Sequence, residues 1–115
     1  MKHDDTRPVR LKGYQRSMRL IEIARETMNE LPTGYAFLAD QLRRASCSIA
    51  LNFAEGCGKS TPRDRRRYFH SSRASAYEVA AIFDVAQRFG VIRIELQIEG
   101  KETCDHIAAM LTKFR

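Results

Sequence analysis

The chain has 115 residues, 43% of them hydrophobic and 30% charged, so it carries enough apolar surface for one core and does not have the composition of a disordered chain. Its net charge of +6 suits a polyanion, nucleic acid ahead of an anionic membrane, or else a basic face that only keeps the protein soluble. Cys47, Cys57 and Cys104 are scattered and form no C-x-x-C pair, which argues against a disulfide framework or a structural zinc site, and no metal or cofactor is expected.

Residues 1–9 are polar and are expected to fray ahead of a single domain over 10–115. This segment lacks the apolar run of a signal peptide. No stretch approaches the roughly 18 apolar residues of a membrane span, so a cytoplasmic protein without a membrane partner is expected.

A first helix is predicted from Val9 to Glu30. Leu11, Tyr14, Met18, Ile21 and Met28 recur at three- and four-residue steps, and Leu20, Ile23, Ala24, Thr27 and Leu31 run beside them. The two stripes together predict one wide apolar face. Leu31-Pro32-Thr33-Gly34 ends the helix. A second is predicted from Tyr35 to Glu55 on the stripe Leu38, Leu42, Ala45, Ile49 and Phe53, with Gly56-Cys57-Gly58 as its stop.

The third begins at Thr61, an N-cap residue followed by Pro62 at the first helical position and by Asp64, as in a capping box. Its stripe is Phe69, Ser72, Ala76, Val79, Phe83 and Ala86, and Gly90 ends it. The fourth runs from Ile94 to Phe114 with Cys104, Ile107, Leu111 and Phe114 on one face. Gly100 inside it weakens the helix by roughly 1 kcal/mol relative to Ala. Four helices with short connections predict an all-α fold, an antiparallel up-and-down four-helix bundle.

Charge is concentrated along the chain. Residues 41–73 carry 8 basic and 2 acidic side chains and so account for the whole excess of +6. Arg63, Arg66, Arg67, His70 and Arg73 fall on one side of the third helix, with Arg65 beside them and Lys59 in the preceding loop. Guanidinium groups grip phosphate oxygens bidentately, which makes Arg the informative choice. Tyr68 and Phe69 interleave with these cations: stacking on bases is one role, packing in the core the other, and Phe69 lies on the core stripe.

Gly58-Lys59-Ser60 ends like a phosphate-binding P-loop, but Phe53 stands where that motif needs its first glycine, and a helix precedes it instead of a strand. Asn52 and Glu55 on the second helix, and Ser75 and Glu78 on the third, lie near apolar stripes and predict a polar network that fixes helix register. Glu55 and Glu78 as paired carboxylates of an enzyme are the rival reading. Arg44, on the side of Asn52, belongs to the network or to a phosphate surface.

The run Gln41-Leu42-Arg43-Arg44-Ala45-Ser46-Cys47-Ser48-Ile49-Ala50-Leu51-Asn52-Phe53-Ala54-Glu55-Gly56 resembles a family pattern, Q-L-R-R-A-x-x-S-I-x-x-N-x-A-E-G. It is that of the small four-helix-bundle proteins encoded by intervening sequences in bacterial 23S rRNA genes, relatives of the Avd accessory proteins of diversity-generating retroelements. Leu31-Pro32 and Tyr35 resemble the family's first turn, and Ser75-Ala76-Tyr77-Glu78 its S-x-x-E element, with Ala74 where the family has Gly. The likeness covers roughly residues 11–112. It implies a homopentamer with a basic surface or channel, and for Avd-type relatives it implies nucleic acid and a reverse transcriptase as partners.

Residues and resemblance together predict a non-enzymatic oligomeric scaffold that binds RNA or DNA through backbone phosphates. The expected contacts are Arg43, Arg44, Lys59, Arg63, Arg65, Arg66, Arg67 and Arg73. The alternative is a protein–protein adaptor for an acidic partner or a reverse transcriptase.

Overall fold

Three short turns divide the described residues of the computed structural model, 7–114, into four helices: α1 (Arg7–Glu30), α2 (Ala36–Gly58), α3 (Pro62–Arg88) and α4 (Ile94–Thr112). α1 and α3 each pack against both α2 and α4, which is the square, up-and-down arrangement of an antiparallel bundle. The molecule is a rod of 54 × 21 × 18 Å.

Helix ends follow local chemistry. α1 starts at Arg7, inside the segment expected to fray, because Pro8 in a first turn gives up no helical hydrogen bond. Residues 1–6 of that segment lie outside the described residues. Gly34 and Gly90 adopt φ of 100° and 72°, left-handed values that let the chain turn back after α1 and α3. Thr61 is extended and its hydroxyl accepts the Asp64 N–H at 3.2 Å, capping α3. α2 runs through Gly58, three residues beyond its expected end, and α4 stops at Thr112, two residues short of Phe114.

The core holds the predicted stripes of α2 and α3 in full, and Leu96, Cys104, Ile107 and Leu111 from α4. Phe114 stacks its ring 4.6 Å from Phe69. α1 departs from expectation, because only one of its two stripes is buried. Leu20, Ile23, Ala24 and Thr27 face inward with Gly13 and Ser17, whereas Leu11 and Tyr14 remain 58% and 45% exposed. At about 100° per residue, Leu11 and Met18 sit nearly opposite Leu20, so one bundle core cannot cover both. The buried hydroxyls of Ser17 and Thr27 donate to the carbonyls of Gly13 and Ile23, each at 2.8 Å.

Three glycines set how closely the helices approach. Gly13 of α1 lies against the ring of Phe53, Gly56 of α2 against Phe69, and Gly100 of α4 against Phe83. A Cβ on Gly56 or Gly100 would come within 2.5 Å of ring carbons that are themselves buried. Gly56 is therefore not the helix stop expected from its neighbours but a hollow that receives a phenylalanine, and Gly100 gives up helix propensity for the same purpose.

Gly56→Ala and Gly100→Ala are expected to destabilise the fold, although each raises intrinsic helix propensity by about 1 kcal/mol. Overpacking of this kind costs about 1–3 kcal/mol, so urea unfolding should give a lower midpoint for both. An exposed control, Gly58→Ala, has no atom within 4 Å of its added Cβ and should not lose stability.

Candidate nucleic-acid interface

The register of α3 decides which cations reach solvent. Phe69, Ser72, Ala76 and Val79 are buried, so Arg63, Arg67 and His70 point outward. Arg63, Asp64, Arg66, Arg67 and His70 line a surface concavity of 540 Å³ at the start of α3. Several positive charges thus share one open hollow next to a capped helix N-terminus, whose dipole also favours anions.

The eight predicted contacts divide by what already holds them. Arg43 pairs with Asp40 at 2.9 Å, Arg44 with Glu78 at 2.7 Å, and Lys59 with Glu55 at 3.5 Å. All three are surface pairs, so an incoming phosphate would have to compete with a carboxylate. Arg65 donates to the Lys59 carbonyl at 3.2 Å, Arg67 to the Tyr68 hydroxyl at 3.2 Å, and Arg73 to the Thr112 hydroxyl at 3.2 Å. These acceptors are neutral and leave the positive charge uncompensated. Arg63 and Arg66, like His70, have no hydrogen-bond or ion-pair partner among the described residues.

Tyr68 is half-buried, and its ring lies 5.1 Å from both the Lys59 ammonium and the Arg67 guanidinium. Its ring already serves to steady two cations. Phe69 is buried and belongs to the core.

The four residues expected to form one polar network are split among three separate contacts along the α2–α3 seam. Ser48 bonds Ser75 at 2.8 Å and accepts the Asn52 amide at 3.0 Å, while Asn52 also reaches the Ser48 carbonyl at 2.9 Å. Glu78 belongs with Arg44, and Glu55 with Lys59. Just beneath, the buried Ser72 donates to the Ile49 carbonyl at 2.8 Å. Glu55 and Glu78 are thus engaged by different cations. Sequence reasoning missed Ser48, although its place four residues before Asn52, on the same helix edge, was the signal.

The opposite end of the rod has different chemistry. Phe89 meets Tyr35 and Phe37 edge to face and those two rings pack tilted against each other, with centroids 5.6 to 6.4 Å apart, and Phe37 and Phe89 remain about half exposed. Nearby, hydrogen bonds from Lys101 and Gln97 hold the Asp84 carboxyl below the usual carboxylate range. The thiols differ as well: burial pushes Cys104 up to about 12 and Cys57 in the same direction, while Cys47 is exposed. Among the described residues, no three His, Cys, Asp or Glu side chains gather to hold a metal ion, and no helix is long and apolar enough to cross a membrane.

Fold and surface define a small four-helix bundle whose basic pole carries Arg63 and Arg66, neither of which has an ion-pair partner among the described residues. A family profile described as 23S rRNA-intervening sequence protein matches residues 9–113, and the chain belongs to that family. No curated protein matches it in sequence.

The Ser48 hydroxyl joins two helices through half-buried groups, so Ser48→Ala is expected to cost about 1 kcal/mol. In a double-mutant cycle with Ser75→Ala, most of that loss should appear as coupling between the two sites. Additive losses in the unfolding free energies would show that the hydroxyls act independently.

Proposed function

We propose that the protein is a non-enzymatic, oligomeric scaffold that binds RNA or DNA through backbone phosphates, using the arginine-rich face at the start of α3. One observation carries this reading: Arg63, Arg66 and Arg67 line one hollow with His70 and Asp64, and none of the three arginines has an ion-pair partner among the described residues, nor do Arg65 and Arg73 further along α3. Unpaired guanidinium groups on one surface raise the local potential and attract phosphates whatever the base sequence. Arg43, Arg44 and Lys59 form a second tier that joins only by exchanging a carboxylate for a phosphate.

Membership of the family supports the oligomeric part of the reading, and so does the apolar surface left uncovered by one chain. Leu11 and Tyr14 on α1 and Leu51 on α2, the last 67% exposed, are the kind of residues that a second copy would cover. A homopentamer follows from the resemblance, and its symmetry would repeat the basic face five times around a ring. The aromatic end of the rod favours a second reading in which the bundle is a protein adaptor, with a reverse transcriptase or an acidic protein as partner.

Two outcomes are expected. Light scattering at micromolar concentration should give the mass of a pentamer, and a clean monomer mass would sink that part of the proposal. Wild-type protein should bind nucleic acid of mixed sequence with affinity that falls steeply with salt, by about 0.9 in log affinity per neutralised phosphate on duplex DNA and about 0.7 on single strands. Replacing Arg63, Arg66 and Arg67 together by Ala should flatten this slope without loss of helical content, because none of the three lies in the core. Equal slopes, or no binding by wild type at low salt, would shift the weight to the adaptor.

A further inference from the structure

We propose that Tyr77 is a base-stacking platform at the end of the phosphate-binding face, so that the site takes single-stranded nucleic acid in preference to duplex. This rests on the phosphate-binding reading above and adds to it the form of the ligand. Arg63, Arg66, His70, Arg73 and Tyr77 follow one another at steps of three, four, three and four residues. That spacing places all five along a single line of α3, about 21 Å long at 1.5 Å per residue. Such a line spans several nucleotides of one strand.

Tyr77 is 57% exposed. Among the described residues it has no hydrogen bond, ring contact or cation contact. Its neighbours one turn away on the helix are Arg73, Ala74, Ala80 and Ala81. Three alanines leave the ring uncovered by its own helix, and Arg73, whose guanidinium donates to the Thr112 hydroxyl at 3.2 Å, lies one turn back on the same line. Glu78, the nearest acid in sequence, is turned toward α2 and held by Arg44.

The other exposed aromatics lack this setting. Phe37 and Phe89 pack edge to face at 6.4 Å, and Tyr14 continues the apolar stripe of α1. Tyr68 lies among the cations, but its ring is taken by Lys59 and Arg67.

An aromatic face bordered by arginine is what an unpaired base stacks on, whereas a duplex keeps its bases inside. The phosphates of the same strand would run along Arg73, Arg66 and Arg63. Stacking needs no particular base, so the preference is for strand form and not for sequence.

The test compares wild type with Tyr77→Ala and Tyr77→Phe by fluorescence anisotropy, using labelled oligo-dT and a mixed-sequence DNA duplex of matched length. Tyr77→Ala should weaken oligo-dT binding about tenfold. Duplex binding and the salt slope should be unchanged, and Tyr77→Phe should bind like wild type. Equal loss on both probes, or no loss on oligo-dT, would overturn the stacking role while the phosphate face stands. A change in the light-scattering mass of Tyr77→Ala would also overturn it, by placing the ring between copies of the chain. Failure of wild type to bind either probe at low salt would instead remove the phosphate-binding reading, and the stacking role with it.

Discussion

The packing of three phenylalanine rings into three glycine hollows is the constraint on which the rest of this structure depends. Phe53, Phe69 and Phe83 each fill space that a single Cβ on the facing helix would occupy. Each contact joins a different pair of neighbouring helices: α1 with α2, α2 with α3, and α3 with α4. Buried aromatic rings contribute large apolar areas, and close packing makes such contacts intolerant of one added methylene. Three of them, spread along the rod, leave each helix little freedom to slide or rotate against the next. The ring of Phe69 also packs against the rings of Phe53 and Phe114.

That rigidity aims the surface. Once Phe69 and Phe83 hold α3 in register, the helical repeat leaves no choice about where Arg63, Arg66, His70 and Tyr77 emerge. Hydrogen bonds along the α2–α3 seam reinforce the same register. Ser72 to Ile49, Ser48 to Ser75, and Arg44 to Glu78 run up it in sequence, from the buried layer to the exposed edge. No buried side-chain polar atom among the described residues lacks a partner, so the seam adds orientation without the penalty of an unmade bond. The distribution of charge follows from the same geometry. Three carboxylates pair with cations away from the start of α3: Glu30 with Arg93, Glu99 with Arg19, and Asp84 with Lys101. At the start of α3, Asp64 is the acid that shares the hollow with Arg63, Arg66, Arg67 and His70.

The rod therefore has two unlike ends. One carries guanidinium groups around an open hollow, suited to anions. The other carries Tyr35, partly buried, and Phe37 and Phe89, half exposed, around the two left-handed glycine turns. With Leu11 and Tyr14 exposed on the first turns of α1, a single chain presents three chemically different surfaces. Under the proposed function these surfaces would serve different partners, and surfaces for different partners cannot overlap without competing.

The sequence by itself determined the fold class and nearly all of the core. Apolar residues at helical spacing, glycine and proline in the turns, and Thr61-Pro62 before α3 act locally, and local rules need no knowledge of neighbours. The concentration of positive charge in residues 41–73 was legible for the same reason. Tertiary structure alone decided which α1 stripe is buried, since both have the same period and only the placement of α2 and α4 against α1 separates them. It also turned Gly56 from a helix stop into a packing hollow, because the ring that fills it comes from another helix. It divided the candidate arginines into those already bound to carboxylates and those bound to neutral groups or to nothing, and it made Ser48 the link between Asn52 and Ser75. Partners across a helix seam are set by the rotation of one helix against another, and that rotation is decided by packing in three dimensions, where the spacing of residues along one chain has no say.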